Sequence, residues 1–483
     1  MKPYIRLFKS PNNYFFYDVN RDSVKNLTEG LYNYLKGNCD IPENTDEISE
    51  LGDADRQLLK ELIAQGYMSD HRVKTLEHFH TSDLEFQINE RCAELTLQVT
   101  QACNLVCSYC PFANKTDNEY QRNHSSKKMD WETAKKGIDI LLEHSTEIDS
   151  VNIGFYGGEP FLNFPLVKKA VGYAEEIFIG KEVSFSLTTN GTVFNDEIVE
   201  FLASHNFFVT FSIDGPPSIH DINRKKADGS GSYADASSSI KKLYEAFKNI
   251  PERRNAININ MVINPENDFD EVLRIFDDPF FMESGIVITP TLVSTDKLKK
   301  KMGVSDDFCE KFQYNRFVTL MKYFGVVKDA DVDPVSKWLT FRRIEKLDDF
   351  REVSRLSDVT APGGPCVPGQ RRMFINADGN IFPCEKANEL ADDLIFGNVN
   401  DGIDIEKAEK ILNIARLTEN ECKNCFAFRH CTVCAVTAVD AKGFSLQKKL
   451  AKCVSVKKTV ADQIKLLILK KEFENIYKRK INI

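Results

Sequence analysis

From residue 94 to residue 292 the hydrophobic positions fall into two alternating patterns. Short runs with β-branched and aromatic residues stand at Glu94 to Thr100, Ser150 to Phe155, Val183 to Thr189, Phe208 to Ile213, Ile257 to Ile263 and Ile286 to Leu292, and read as strands. Between them lie stretches with apolar positions three or four apart, such as Trp131 to His144, Pro165 to Ile177, Asp196 to His205 and Tyr233 to Lys248, which read as helices. Strict alternation with helix-length connections implies a parallel sheet with right-handed crossovers. Six such units make an α/β fold, an incomplete barrel, whose chemistry gathers just past the C-terminal strand ends.

The flanks read differently. Tyr4 to Lys9 and Tyr14 to Asp18 predict two short strands around a Ser-Pro-Asn-Asn turn, followed by helical patterns at Val24 to Leu35 and Asp55 to Gly66. A strand-and-helix unit of this size is consistent with a winged-helix-like peptide-binding module, whose edge strand could take an extended peptide as an added strand, or with a small structural cap. Residues from Ser294 to Leu356 carry mixed-charge helical patterns, including Phe308 to Lys322 and Val335 to Lys346, with Phe317, Trp338 and Phe341 expected in the core. The tail from Lys448 to Ile483 is lysine-rich, and Val460, Ile464, Leu467 and Ile468 predict a helix laid on the body.

A length of 483 residues implies two to four domains, and 42% hydrophobic with 28% charged residues gives a sizeable soluble core. A net charge of -9 argues against a nucleic-acid partner. The N-terminus lacks the apolar core of a signal peptide and no apolar run reaches membrane-spanning length, so the expected location is cytoplasmic, without membrane contact. In a reducing compartment the 13 cysteines are metal ligands before they are disulfides. Cys39, Cys92 and Cys309 stand alone and are expected to be buried small hydrophobes.

The remaining cysteines are grouped. Cys103, Cys107 and Cys110 follow the first barrel strand at C-x3-C-x2-C spacing. Three thiolates there can grip three corners of a four-iron cluster and leave one iron open, whereas structural zinc wants a closed tetrahedron built from paired ligands. The later strand ends are also marked, by Tyr156-Gly157-Gly158-Glu159-Pro160, by Thr188-Thr189-Asn190-Gly191, and by Ser212-Ile213-Asp214-Gly215-Pro216 with Arg224 after it. Glycines let backbone approach a ligand, a carboxylate accepts from an ammonium group, and an arginine fork suits a carboxylate. Beyond a linker signal at Pro362 to Pro365 come Cys366, Cys384, Cys422, Cys425, Cys431, Cys434 and Cys453, too many for one tetrahedral zinc site.

These motifs resemble the radical S-adenosylmethionine enzymes, whose hallmark is C-x3-C-x2-C with an aromatic residue, here Tyr109, before the last cysteine. The resemblance implies that Cys103, Cys107 and Cys110 are catalytic cluster ligands. It places Tyr109 by the adenine of S-adenosylmethionine, Gly157, Gly158, Glu159 and Pro160 at its methionine amino group, and Ser212 and Arg224 at its carboxylate. Thr189 and Asn190 complete the cofactor contacts. The cysteine-rich end resembles the SPASM extension, which binds two auxiliary four-iron clusters, although two residues rather than the usual three separate Cys431 from Cys434. By that pattern Cys422, Cys425, Cys431 and Cys453 hold one closed cluster. Cys366, Cys384 and Cys434 hold the other, whose fourth ligand comes from elsewhere or whose open iron takes a substrate thiolate.

The resemblance implies a partial (β/α)6 TIM-like barrel at 91–295 between a leader-recognition domain at 1–90 and a helical bridge at 296–360. The SPASM domain takes 361–456 and a C-terminal helix 457–483. It implies three 4Fe-4S clusters, S-adenosylmethionine, an electron donor such as flavodoxin or ferredoxin, and a precursor peptide with a leader. The expected activity is a maturase joining cysteine sulfur to carbon in a ribosomally made peptide, of the sactipeptide and ranthipeptide type. Rivals are a sulfatase-maturing enzyme or peptide epimerase on the same scaffold, and a non-catalytic electron-transfer or peptide-carrier protein.

Overall fold

The computed structural model describes every residue except 39, 114–120, 254, 294–302 and 478–483. Three antiparallel strands come first, β1 (Ile5–Lys9), β2 (Tyr14–Asp18) and β3 (Ser23–Leu27), followed by α1 (Glu29–Gly37) and α2 (Asp53–Ala64). The helix expected from Val24 therefore starts late. Val24, Leu27, Leu31 and Leu35 share a helical spacing, yet Val24 and Lys25 pair with Tyr17 and Phe16 in the strand ladder. Thr28, in extended backbone, then accepts from the Leu31 N–H and caps the helix. Alternation along β2 splits this sheet between two cores. Phe16 packs with Leu31, Leu35, Leu59 and Leu62 of its own helices, while Phe15 and Tyr17 pack with residues from the C-terminal third of the chain.

After β4 (Thr75–Leu76) and α3 (Leu84–Glu90) the expected alternation begins. It runs β5 (Glu94–Thr100), α4 (Trp131–Glu143), β6 (Ser150–Gly157), α5 (Phe164–Ile177), β7 (Glu182–Thr189), α6 (Asp196–Ser204), β8 (Phe207–Ser212), α7 (Pro217–Asn223), α8 (Tyr233–Phe247), β9 (Ile257–Ile263), α9 (Phe269–Leu273), α10 (Pro279–Glu283) and β10 (Val287–Leu292). The strands pair in parallel and in chain order. Leu95, Leu97, Val99, Val151, Ile153, Phe155, Phe185, Leu187, Val209, Phe211, Ile259 and Met261 are buried in one core with Ile138, Val167, Leu202 and Leu243 of the helices. The alternate positions are polar or small, including Thr96, Gln98, Asn152, Gly154, Ser184, Ser186, Thr210, Ser212, Asn258 and Asn260. They bond across strands: Asn152 Nδ2 donates to Ser184 Oγ at 3.0 Å, and Ser186 Oγ donates to Asn152 Oδ1 at 2.7 Å. Parallel strands covered on both faces ordinarily read as continuous apolar runs. A polar second face marks a barrel interior that hosts polar chemistry.

The bridge helices α11 (Asp306–Tyr323) and α12 (Pro334–Glu345) lie near their expected positions, but Phe317 is 58% exposed and Phe341 37%, so these two are surface residues. The two helices pack on each other, with the Phe341 ring edge-on to Tyr323 at 6.3 Å, and leave Phe317 largely uncovered. Next, β11 (Val359–Thr360) pairs with β4, and β12 (Met373–Ile375) adds to β5 in parallel. The antiparallel strands β13 (Asn380–Phe382), β14 (Gly397–Asn398) and β15 (Gly402–Ile403) continue the same sheet, which is ten-stranded and mixed and fits a partial barrel. The segment read as a linker at Pro362 to Pro365 is packed: an added Cβ on Gly363 would meet the Arg429 carbonyl oxygen at 2.8 Å, and on Gly364 the Val433 carbonyl oxygen at 2.7 Å.

The chain finishes with α13 (Ile405–Leu412), α14 (Glu419–Lys423), the hairpin β16 (Val439–Asp440) and β17 (Gly443–Phe444), and the long α15 (Leu446–Tyr477), which buries Val460, Ile464 and Ile468 as expected, leaves Leu467 partly buried, and adds Val456 to the buried stripe. Cys92 is buried as expected, Cys309 is exposed on α11, and Cys39 lies outside the described residues. No helix among the described residues is long and apolar enough to cross a membrane.

Candidate functional site: the barrel mouth and the cysteine-rich end

The cysteine loop after β5 is stitched to the neighbouring strand ends mostly by backbone. Gly158 N–H donates to the Thr100 carbonyl at 3.0 Å and Glu159 N–H to the Ala102 carbonyl at 2.8 Å. That close approach needs glycines: an added Cβ on Gly157 would lie 1.9 Å from the Thr100 oxygen, and on Gly158 2.0 Å from the Ala102 oxygen. From the other side, Ser108 N–H donates to the Asn223 carbonyl at 2.9 Å and Val106 N–H to the Lys225 carbonyl at 2.8 Å. The end of β6 on one flank and the end of α7 on the other thus fix where Cys103, Cys107 and Cys110 sit.

These three cysteines line one cavity of about 220 Å³ with Tyr109, Gly157, Gly158, Thr189, Asn190, Ser212 and Arg224. Burial pushes the Cys103 thiol up to about 11, with Glu159 and Cys110 adding to the shift, and the Cys107 thiol to about 12, with Cys110 and Cys103 adding. Cys110 is raised too, again by burial. Crowded, reluctant thiols of this kind are released as ligands when a metal binds and its charge displaces their protons. Soft sulfur donors suit iron-sulfur clusters. Among the described residues no three His, Cys, Asp or Glu side chains gather round a point fit for a single ion. Ligands of a cluster grip separate corners and need no common centre. The donor set and the cation-bearing wall opposite it therefore fit a three-thiolate cluster with an anionic group of a cofactor beside it.

Glu159 and Pro160, expected at the cofactor's amino group, do not line the cavity. The Glu159 carboxylate is fully buried and accepts from Thr189 Oγ1 at 2.9 Å, Asn190 N–H at 2.7 Å and Phe161 N–H at 3.3 Å. It clamps the end of β7 to the end of β6, and so acts on the cavity through Thr189 and Asn190. Burial pushes its carboxyl up to about 7, against the pull of those three donors. Pro160 opens the short helical turn Pro160–Asn163.

Two residues were missed by sequence reasoning. Asp214, fully buried, accepts from Tyr109 OH at 2.6 Å and from Arg224 Nε at 2.9 Å. One carboxylate thus aims both side chains, and the Arg224 guanidinium lies 5.4 Å from the Tyr109 ring centre. The nearby His220 is held neutral, pushed down to about 3 by burial and by Arg224, and bonds Ser232 Oγ at 3.0 Å. Asp214 stood inside a quoted motif, and the arginine ten residues on was its only signal. The second, His124, lines the cavity with Nε2 3.7 Å from Cys110 Sγ, while its Nδ1 donates to the Gln101 carbonyl at 3.0 Å. No motif marks it.

At the cysteine-rich end, Cys422, Cys425, Cys431 and Cys453 come together closely enough that each of Cys422, Cys425 and Cys453 raises the Cys431 thiol after burial has pushed it to about 11. Cys384 is likewise raised to about 11, by burial first and with Cys434 contributing. Cys366 is exposed and follows the Gly363–Gly364 segment packed on the Arg429 to Val433 backbone.

Residues 97–278 match the Radical SAM superfamily, and residues 366–434 match SPASM, an iron-sulfur cluster-binding domain. The chain therefore carries a radical SAM domain with a SPASM domain after it. Over 493 residues it is 22% identical to the radical SAM cyclopropyl synthase TigE of Paramaledivibacter caminithermalis, covering 97% of this chain and 94% of that one. Over 341 residues it is 24% identical to a cysteine-type anaerobic sulfatase-maturating enzyme of Clostridium perfringens, covering 69% and 85%. A 150-residue stretch is 37% identical to the uncharacterized protein MJ0907 of Methanocaldococcus jannaschii, and there the chain spans about half the relative, 47% of its length. A solved structure described as native anSMEcpe with bound AdoMet shares the fold at a TM-score of 0.54 and 19% identity, covering 78% of this chain and 99% of that one.

Proposed function

We propose that this chain is a peptide maturase: it uses the barrel-mouth cavity to start radical chemistry on a ribosomally made, cysteine-bearing precursor and joins cysteine sulfur to carbon. The observation that carries the reading is the single cavity in which three thiols face Ser212 and Arg224. A cluster and S-adenosylmethionine bound here would supply one-electron, reductively started radical chemistry. The chain's own residues bind and orient. Cys103, Cys107 and Cys110 would hold three cluster corners, and the terminal amino groups of Arg224, left over from its Nε bond to Asp214, would with Ser212 receive the methionine carboxylate. The backbone at Gly157 and Gly158, with Thr189 and Asn190, receives the amino group, and Tyr109 lies by the adenine. Cys422, Cys425, Cys431 and Cys453 hold a second cluster, and Cys366, Cys384 and Cys434 a third, whose uncovered position suits a substrate thiolate. Residues 1–90 receive the leader.

Support for a polypeptide substrate comes from the similarity to a sulfatase-maturating enzyme, while the similarity to TigE runs through the N-terminal module to the far end of the chain. That relative's name also favours a second reading, oxidative closure of a carbon-carbon ring. Either product is two hydrogens lighter than the precursor. The test is co-expression with a short cysteine-bearing peptide encoded nearby, mass spectrometry, and alkylation of free thiols. Sulfur-to-carbon joining removes one alkylatable thiol per crosslink; an unchanged thiol count with the same mass loss transfers the reading to carbon-carbon closure. Absence of 5′-deoxyadenosine from the reduced, cluster-replete protein with S-adenosylmethionine defeats both and leaves the non-catalytic carrier.

A further inference from the structure

Beyond its local backbone turns, the segment from Cys425 to Cys431 makes most of its hydrogen bonds with the first 22 residues of the chain. Tyr4 OH donates to the Cys425 carbonyl at 2.8 Å. Arg429 Nε donates to the Val19 carbonyl at 2.7 Å, and its terminal nitrogen to the carbonyls of Asn20 at 2.8 Å and Ser354 at 2.9 Å. His430 Nε2 donates to Asp22 Oδ1 at 2.7 Å, and the same oxygen accepts from Tyr17 OH at 2.6 Å. The His430 ring stacks on Phe350 with centres 3.8 Å apart, and Arg6 covers the Phe426 ring at 5.2 Å.

Below these bonds lies the core that the rear face of the β1-β2-β3 sheet shares with the cysteines. Phe15, Tyr17, Val19 and Val24 pack with Cys422, Ala427, Phe428, Val433, Val456 and Val460. The helix that carries Cys453 joins in from the third side, since Lys471 Nζ donates to the Val24 carbonyl at 2.8 Å. Short cysteine-bearing loops have little apolar surface of their own and stay ordered only against a neighbouring wall.

We propose that the N-terminal sheet is that wall: Tyr4 and Asp22, acting through the Cys425 carbonyl and His430, are positioning residues for the metal site formed by Cys422, Cys425, Cys431 and Cys453. The inference rests on the reading that these four cysteines hold an iron-sulfur cluster. It makes the N-terminal module part of the auxiliary site instead of a detachable leader-binding arm, so a ligand that orders this sheet also bears on the cluster loop. Truncating the module therefore cannot isolate a leader-binding role, because it removes one side of the metal site.

The experiment uses the full chain with Cys103, Cys107 and Cys110 replaced by alanine, so that bound iron reports the auxiliary sites alone. Three variants are made in that background, Tyr4→Phe with Asp22→Ala, Asp22→Asn, and Cys422→Ala with Cys425→Ala. Iron and sulfide are counted and the paramagnetic resonance spectrum of the reduced protein is recorded. The Tyr4→Phe, Asp22→Ala pair is expected to lose about half the auxiliary iron, one four-iron cluster of two, together with one of the two spectral signatures. Asp22→Asn retains an oxygen for the His430 N–H and is expected to keep both. Full iron and an unaltered spectrum in the Tyr4→Phe, Asp22→Ala pair overturn the proposal. So does loss of both signatures together, which signals general unfolding. If the cysteine pair itself keeps all its iron, the four-cysteine cluster reading fails instead, a result distinct from either.

Discussion

The two thiol-bearing regions of this chain are held in place by opposite means. The loop of Cys103, Cys107 and Cys110 sits at the mouth of one sheet, fixed by backbone bonds to residues 158 and 159 just past β6 and to 223 and 225 at the end of α7. The set of Cys422, Cys425, Cys431 and Cys453 is walled in by a separate sheet from the start of the chain, through contacts such as Tyr4 to Cys425 that span 421 residues. A site borne on strand ends inherits the rigidity of the barrel. A site borne on loops borrows it from whatever packs alongside, and its order depends on long-range contacts that are costly to assemble.

The sharpest way to break the comparison is to remove thiols from each region in turn. Alanine at Cys103, Cys107 and Cys110 is expected to abolish formation of 5′-deoxyadenosine. Alanine at Cys422, Cys425 and Cys431 is expected to leave cofactor cleavage within about tenfold of the parent while abolishing peptide product, because the far region does not touch the cavity. Chromatographic quantitation of 5′-deoxyadenosine beside mass spectrometry of the peptide separates the two. Equal loss of cofactor cleavage from both sets of variants would falsify the division of labour.

Next in size is Gly158→Ala. Its Cβ would lie 2.0 Å from the Ala102 oxygen, and its three nearest neighbours are all backbone atoms of Ala102 and Cys103, so the cysteine loop itself must shift. A displacement of about 1 Å is expected to slow cofactor cleavage roughly a hundredfold. Alanine at Gly37, where nothing lies within 4 Å of the added carbon, is expected to leave the rate unchanged. Asp214→Ala acts on stability. It strands the Arg224 guanidinium, only 9% exposed, without its partner carboxylate, and removing one member of such a buried pair costs about 3–5 kcal/mol. Thermal melting of the cluster-free chain is the measurement, and a midpoint equal to the parent's would show that solvent or another group compensates the charge.

What the sequence made legible follows the same division. The barrel strands and helices were readable because each is a local period, and most cavity residues because they stand at or near a strand end, His124 and Arg224 excepted. The β3 strand was not, since Val24 and Leu27 happen to continue the helical spacing of Leu31 and Leu35. Nor was β12, three residues long, whose place beside β5 depends on a partner some 280 positions earlier. Asp214 was in view as a letter, but its grip on Tyr109 and Arg224 exists only once β8 and the cysteine loop are side by side. The wall formed by Tyr4 and Asp22 left no local signal at all.

The smallest predicted effect tests the claim that the barrel-mouth site is pre-shaped from beneath. Glu159 has its carboxyl raised from an ordinary 4.5 to about 7, chiefly because burial penalises the ionised form more than the Asn190, Thr189 and Phe161 donors favour it. A folded value above the unfolded one means that folding favours the protonated carboxyl, so its contribution to stability is complete below the unfolded value of 4.5 and is lost as pH rises through about 7. Glu159→Gln cannot ionise and escapes that loss. In urea melts of the cluster-free chain, the stability of the parent relative to this variant is therefore expected to decline from about pH 5 to about pH 8. A relative stability that rises over this window would mean that the three donors outweigh burial and that the clamp is ionised throughout.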